Sequence, residues 1–395
     1  MEHKKTVVVG VTGGIAAYKS CELVSRLIKK NINTVVVMTK SATEFVSPLT
    51  FMTISKNKVI TKMFDTPASF DVEHISVAKQ ADLFVIVPAT ANIIGKIANG
   101  IADDFLSTTV MATKAPVLIA PAMNTNMWQN PIVQKNVSTL KEYGYTFVNP
   151  AKGRLACGDV GEGKLADLDD IEQAIEIALC NNKDLLGKKV LVTAGATMEH
   201  IDPVRYITNP SSGKMGLCVA KAARNRGADV TLIAGNTEFK DLYGVEVVKV
   251  SSALEMEKEV LSRFKECDIV VKSAAVGDYR AKNVAQNKIK KTSDELNVEL
   301  VKNPDILKGL GNKKENQILV GFCMETENLE QNALKKLEDK NLDMIVANSL
   351  MAEGAGFKSD TNIVTIYTKN KEKTQLPLMS KEDVSNVIFD KVLEL

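Results

Sequence analysis

Histidine is scarce in this chain: three in 395 residues, at positions 3, 74 and 200. The six cysteines, at 21, 157, 180, 218, 267 and 323, form no C-x-x-C pair. These absences argue against a zinc centre and against a disulfide framework. Charge of one sign is missing too, since Lys+Arg 50 against Asp+Glu 48 leaves +2. A nucleic-acid surface is therefore not expected. Apolar runs such as 83–87 fall far short of the ~20 residues of a membrane span. No signal-peptide pattern precedes the strand-like VVVGV near the start. The expectation is a cytoplasmic protein that meets neither membrane nor nucleic acid. What remains is average globular composition, 45% hydrophobic and 25% charged, which excludes a disordered or coiled-coil chain. The length predicts two or three domains.

Short β-branched runs alternate with helix-forming stretches. Strands are expected at 6–11, 34–39, 83–88, 116–123 and 145–150, with helices at 15–30, 91–99, 105–112 and 128–143. The runs at 83–88 and 116–123 are continuously apolar, the mark of strands buried on both faces of a parallel sheet. The pattern breaks at 153–167, where four glycines without periodicity predict a long loop or flap. A helix at 169–179 closes the region. Polar residues 180–189 put the domain boundary near 186, giving domains 1–186 and 187–395. The second half repeats the alternation, with strands at 189–195, 230–235, 245–250, 268–276, 318–322 and 343–348. An edge hairpin strand is expected at 362–368, and helices at 213–226, 252–265, 304–312, 327–341 and 381–394. Two doubly wound, Rossmann-like α/β domains are the expected fold.

Three strand ends in the first half carry small or hydroxylic residues. They are Gly13-Gly14-Ile15, Thr39-Lys40-Ser41 and Pro88-Ala89-Thr90-Ala91. Glycine between a strand and a helix lets the backbone approach a phosphate, whose charge the helix dipole favours. The G-x-G-x-x-G fingerprint is missing, so FMN or a similar mononucleotide fits better than a dinucleotide. A tight βα turn is the plainer reading of the first site. His74 precedes a helical stretch, where a lone histidine is more often a surface or capping residue. Met123-Asn124, in PAMN, follows a strand expected to end beside the Gly13 turn; its plainer reading is a turn with an Asn cap. Cys157 lies in the glycine-rich flap with nothing obvious to pack against, a candidate for proton transfer or nucleophilic work.

The motifs TGGIAAYK, EHI, PATAN, PAMN and LACGxxGxG, in this order over about 165 residues, resemble the flavin-dependent phosphopantothenoylcysteine decarboxylases. The resemblance implies a flavodoxin-like flavoprotein with FMN as a transient oxidant. It also implies that His74, Asn124 and Cys157 act on the substrate, with Met123 beside it. Lys164 stands where that family has Arg, which keeps the charge but loses the bidentate geometry.

In the second half, Asn209-Pro-Ser-Ser-Gly213-Lys214 opens a helix, again an anion-ready N-terminus. Met215 follows, so this is no P-loop. Ser273-Ala274-Ala275 leads to Asp278 at a strand end, followed by the lysine triplet Lys288, Lys290 and Lys291. A lysine triplet is usually a solvated patch, but beside an aspartate it suits a magnesium-bound triphosphate. Pro304-Asp305-Ile306-Leu307, Phe322, Lys336 and Lys340 complete a set that resembles phosphopantothenate–cysteine ligase. Gly277 and Ala281 depart from that pattern locally.

Both halves together resemble the bifunctional bacterial family of coenzyme A biosynthesis. The resemblance implies ligation of 4′-phosphopantothenate to cysteine with CTP and Mg²⁺ (or Mn²⁺), then FMN-dependent decarboxylation of the product. Asn209 and Lys288 are the expected ligase catalysts, and Asp278 the metal contact. A homo-oligomer is implied, trimeric through the decarboxylase and dimeric through the ligase, up to a dodecamer. A flavin oxidoreductase or a non-catalytic flavin binder remains the alternative. The flap thiol and the whole second half oppose the first, and the intact His74, Asn124, Cys157 and Lys288 oppose the second.

Overall fold

A computed structural model describes residues 4–64, 72–237, 242–290, 296–325, 328–349 and 359–395. The chain forms two compact units, Met1–Asn181 and Asn182–Leu395. In the first, β1 (Thr6–Val11), β2 (Asn33–Met38), β3 (Val59–Ile60), β4 (Leu83–Ala89), β5 (Val117–Pro121) and β6 (Thr146–Phe147) make one all-parallel sheet. Its order is β3-β2-β1-β4-β5-β6. Without the two-residue β3 this is the flavodoxin order, with its topological switch point between β1 and β4. Helices α1 (Ala17–Lys29), α2 (Pro48–Ser55), α3 (Glu73–Gln80), α4 (Ala91–Ala98), α5 (Phe105–Ala112), α6 (Thr125–Trp128), α7 (Pro131–Glu142) and α8 (Leu168–Leu179) belong to this unit. Every residue of β1 and β4 is buried, which explains their unbroken apolar runs. Each fully buried Val or Ile there is worth about 1.5–3 kcal/mol.

Three expectations are corrected here. The helix expected from 128 starts at Pro131, capped by Asn130, and Trp128 instead closes the separate short helix α6. The strand before PAMN does not end beside the Gly13 turn, since β4 lies between β1 and β5. The presumed loop at 153–167 contains an antiparallel hairpin, β7 (Ala151–Arg154) with β8 (Val160–Lys164). Its glycines leave no hydrophobic alternation, so periodicity has nothing to detect.

The second unit has an eight-stranded sheet. It is built from β9 (Lys189–Ala194), β12 (Asp229–Ala234), β13 (Glu246–Lys249), β14 (Ile269–Lys272), β17 (Ile318–Glu325), β18 (Met344–Ser349), β20 (Val364–Thr368) and β21 (Lys373–Gln375). The order is β13-β12-β9-β14-β17-β18-β20-β21, parallel except where β20 and β21 join. The strand expected at the edge, β20, is therefore one place in, covered by β21. The run 268–276 is strand only to Lys272; residues beyond it turn out over the sheet end. Small pairs are β10 (Met198–His200) with β11 (Tyr206–Thr208), β15 (Tyr279–Ala281) with β16 (Leu300–Lys302), and β19 (Thr361–Asn362) with β22 (Met379–Ser380). Helices α9 (Lys214–Asn225), α10 (Ala253–Arg263), α11 (Ile306–Lys313), α12 (Leu329–Asp339) and α13 (Lys381–Leu393) complete the unit. The start of the helix expected at 327 lies outside the described residues. No helix among the described residues is long and apolar enough to cross a membrane.

Arg226, just after α9, ties the start of this unit to α13. Its buried guanidinium grips Asp184 with two hydrogen bonds and reaches Asp390 at 2.7 Å. Arg226→Met leaves both carboxylates unpaired. Both carboxylates reach solvent and Asp184 keeps the Asn182 amide, so the loss is that of charge-assisted hydrogen bonds, about 1.5–3 kcal/mol. Urea unfolding followed by circular dichroism should show the lower midpoint; an unshifted midpoint would show that the clamp contributes nothing.

Candidate active sites

At the switch point of the first unit the turns after β1, β2 and β4 meet. A Cβ added at Gly13 would lie 2.3 Å from Ser41 Cβ and 2.9 Å from the Ser41 carbonyl carbon, so glycine is required for the close approach. Thr12 Oγ1 donates to the Pro88 carbonyl at 2.6 Å and accepts from Thr90 N at 3.2 Å, which locks the first and third turns together. Thr90 Oγ1 caps α4 by accepting from Ile93 N, so its own O–H remains a donor. Ser41 and Ile15 are exposed, Thr39 is half-buried, and Pro88 and Ala89 are buried beneath. The expected cofactor residues thus gather at one sheet end.

The hairpin β7–β8 is seated on the turn after β5. Met123 N donates to the Gly163 carbonyl at 2.9 Å. A Cβ at Gly163 would stand 2.3 Å from the Met123 carbonyl, and one at Gly161 2.5 Å from Thr125 Oγ1. This seating brings Asn124 to Cys157: Asn124 Nδ2 donates to the sulfur at 3.4 Å and to Asp159 Oδ2 at 3.2 Å. Cys157 Sγ in turn donates to Asp159 Oδ2 at 3.3 Å. Asn124 also caps α6 by accepting from Asn126 N, the plainer reading of this residue. Asp159 was not singled out from sequence. Lys164 ends β8 in an exposed position.

His74 is half-buried in the first turn of α3. That helix runs back from the carboxyl end of the sheet to β4, which puts His74 at the ligand end. Its ring stands edge-on to Phe105, centroids 6.4 Å apart, and among the described residues no hydrogen bond joins it to Asn124 or Cys157.

The second unit holds a cavity of about 670 Å³ at the carboxyl ends of β14, β17 and β18. Gly216 lets α9 lie directly on β9, since a Cβ there would meet Ala194 Cβ at 2.5 Å. The loop after β14 is pinned by three backbone donors: Ala274 N to Thr193 Oγ1, Ala275 N to the Gly195 carbonyl and Gly277 N to Thr197 Oγ1. Seven lysines line the cavity, Lys214, Lys272, Lys302, Lys308, Lys336, Lys340 and Lys381, against the carboxylates of Asp278 and Asp305. So strong an excess of cations fits a polyanion.

Of the residues expected to bind substrate or nucleotide, Ser273, Ala274, Ala275, Asp278, Pro304, Asp305, Ile306, Phe322, Lys336 and Lys340 line this cavity. Leu307 instead packs into the core. Asn209 stands behind the rim, its Nδ2 3.4 Å from the carbonyls of Ala275 and Val276. Lys288 and Lys290 are exposed and outside the lining, and Lys291 lies outside the described residues. Sequence reading missed Lys272, Lys381 and Asn348, whose buried Oδ1 has no hydrogen-bond partner among the described residues. Asp278 and Asp305 are both exposed, and Asp305 is already paired with Lys340; among the described residues no group of three His, Cys, Asp or Glu forms a metal cage. Magnesium held mainly by substrate phosphates needs only one or two carboxylates, so the small acidic set is compatible with such an ion.

Lys340 pairs with Asp305 at 2.9 Å. Burial resists ionisation of Asp305, but the Lys340 bond and the Lys308 N–H hold its carboxyl below the usual range. Lys272 is pushed down to about 8 by burial, with Lys340 adding to the effect. A bound anion favours the ammonium, so between about 8 and the ordinary value of ~10.4 binding takes up a proton. Affinity for a polyanion should therefore fall as pH rises through 8, by at most about tenfold per unit. Titration calorimetry across this range tests it; Lys272→Met should flatten this component, and an unchanged slope would remove Lys272 as its source.

A flavodoxin-order unit with a phosphate-suited switch point and a second doubly wound unit with a cationic cavity define a two-domain α/β flavoprotein. Residues 1–179 match the family described as Flavoprotein, and 185–395 match the DNA/pantothenate metabolism flavoprotein C-terminal domain. The chain is 48% identical over 398 residues to the coenzyme A biosynthesis bifunctional protein CoaBC of Bacillus subtilis, covering 100% of this chain and 98% of that one. It is 47% identical to the protein of that name from Borreliella burgdorferi, over 82% of this chain and 84% of the other. A solved C-terminal domain of a CoaBC protein is 43% identical, covering 53% of this chain and 96% of that one, with a TM-score of 0.47. The chain belongs to the family of bifunctional coenzyme A biosynthesis proteins, enzymes that carry a decarboxylase and a ligase in one chain.

Proposed function

We propose that the first unit, residues 1–181, forms an FMN-dependent phosphopantothenoylcysteine decarboxylase and the second, residues 182–395, a CTP-dependent phosphopantothenate–cysteine ligase, a boundary a few residues before the one expected near 186. The carrying observation is the lysine-lined cavity of about 670 Å³ in a chain whose other unit presents a glycine cradle and a thiol hairpin. In the ligase, the carboxylate of 4′-phosphopantothenate attacks the α-phosphorus of CTP and pyrophosphate leaves. The cysteine amine then attacks the acyl-cytidylate and CMP leaves. Lysines around the phosphates offset the charge that builds in the first step. Asp278 would share Mg²⁺ with the phosphates, and Asn209 braces the loop against which the acyl group lies.

In the decarboxylase, the turns at Gly13–Ile15, Thr39–Ser41 and Pro88–Ala91 fit FMN: glycine backbone and hydroxyl donors suit its phosphate. Bound there, FMN supplies the reversible two-electron oxidation that makes the substrate carbon able to lose CO₂. His74 serves as base or charge partner at its ring, Asn124 donates from Nδ2, and Cys157 gives its Sγ proton to the carbon that CO₂ has left. A homo-oligomer belongs to this reading, since Val204, Tyr206, Ile207, Tyr279 and Leu300 expose apolar surface on and around two small hairpins.

The purified chain should be yellow, release pyrophosphate from CTP only with 4′-phosphopantothenate, and release CO₂ from phosphopantothenoylcysteine. Gly13→Ala should be colourless yet still ligate. A colourless wild-type protein that takes up no added FMN would remove the flavin half of the proposal.

A further inference from the structure

We propose that Asp159 is a positioning residue of the decarboxylase half, holding the Cys157 thiol and the Asn124 amide together as one proton-delivering unit. The inference rests on the reading of Cys157 as proton donor. Asn124 and Cys157 come from different elements, the turn after β5 and the tip of the hairpin, and one carboxylate oxygen joins them. Asp159 Oδ2 accepts from Cys157 Sγ at 3.3 Å and from Asn124 Nδ2 at 3.2 Å. The Asn124 amide has a fixed sense, because its Oδ1 is engaged by Asn126 N at 2.8 Å. Its Nδ2 must therefore face the sulfur, which it reaches at 3.4 Å.

The turn that carries the thiol is closed by backbone bonds from Leu155 N to the Asp159 carbonyl and from Gly158 N to the Leu155 carbonyl. Gly158 sits at φ +95°, where a side chain would strain the backbone. The hairpin is thus built to bring residues 157 and 159 to Asn124. The chemistry follows from the donor pattern. A carboxylate accepts only from a sulfur that bears hydrogen, and it repels one that has lost it. When the S–H bond breaks and the proton passes to the substrate carbon, sulfur keeps the electron pair beside an existing negative charge. Asn124 Nδ2 stabilises that thiolate while Asp159 opposes it, so sulfur regains a proton from water and the site resets. No oxidant or reductant is consumed in this proton exchange.

The experiment uses the full chain with Asp159→Asn, Asp159→Glu and Cys157→Ser, each checked by circular dichroism. Alkylation of Cys157 by iodoacetamide is followed across pH by mass spectrometry of the peptide that carries it, a readout that needs no turnover. Asparagine removes the charge but keeps the size, so alkylation near neutral pH should become about three- to tenfold faster, the value of one screened neighbouring charge. Glutamate should restore much of the wild-type profile. In turnover, Asp159→Asn should release more CO₂ than it forms saturated product, with the unsaturated enethiol making up the difference. A profile for Asp159→Asn that superimposes on wild type would overturn the proposal and leave Asp159 a turn residue. Saturated product at the wild-type rate from Cys157→Ser would instead overturn the underlying reading of the thiol, whatever Asp159 does.

Discussion

His74→Asn should abolish CO₂ release from phosphopantothenoylcysteine while ligation with CTP continues near the wild-type rate. General acid–base groups contribute about 10²–10⁴ in rate, and the chain offers few substitutes. His200, the other internal histidine, belongs to the second unit, where its Nε2 lies 3.3 Å from Ser251 Oγ and its ring meets Tyr206 edge-on. His74 is half-buried at the ligand end of the first sheet, its ring held against Phe105. Asparagine keeps a polar group there but moves no proton near neutral pH. The lysine cavity proposed for ligation is built wholly from residues after 210. Measured on one preparation, the two activities should separate by at least a hundredfold. Equal loss of both in a folded variant would mean that the division of labour is wrong.

Lys340→Gln and Lys288→Gln should both cripple the ligase, but through different constants. Lys340 lines the cavity with its ammonium 2.9 Å from Asp305, so on the proposed reading it would meet CTP before any bond breaks. Its loss should weaken CTP binding about ten- to a hundredfold, the value of one charge-assisted contact. Lys288 stands outside the lining on a segment anchored one residue away: Ile289 N donates to Asp202 Oδ2 at 3.2 Å, and Arg205 Nη2 donates to the Ile289 carbonyl at 2.6 Å. If it acts only as charge builds on the departing pyrophosphate, its removal should cost about 10²–10³ in rate with little change in CTP affinity. Lys290→Gln is the control, because a merely solvated patch gives small, equal effects at both positions. A pyrophosphate burst together with CTP affinity for the three variants decides it. Matching mild losses at 288 and 290 would return Lys288 to the surface and leave catalysis to the cavity lysines.

The placement of Lys288 shows what spacing can convey. A lysine triplet after a strand-end aspartate describes composition along the chain, and a side chain's direction is not contained in it. Lys272 makes the converse point. It ends a strand whose sequence, IVVK, reads as the last step of a buried run, yet the residue helps line the cavity. Asp159 escaped notice because its hydrogen bonds to Cys157 and Asn124 depend on how a glycine hairpin folds over a distant turn. Glycine leaves no periodic trace by which that hairpin could be anticipated.

The sequence by itself determined the two-unit α/β architecture, because strands covered on both faces must be unbroken runs of Val, Ile and Leu and the helices between them must be amphipathic. It also carried the ordered motifs that mark the family, since a close backbone approach at Gly13 and a capped turn at Asn124 are local demands met by particular residues. Tertiary structure alone decided strand order, which set β4 between the Gly13 turn and PAMN. It alone gathered seven lysines around one cavity and left Lys288 outside. Those outcomes depend on side chains from strands and helices far apart in the chain, and distance along the chain does not fix direction in space.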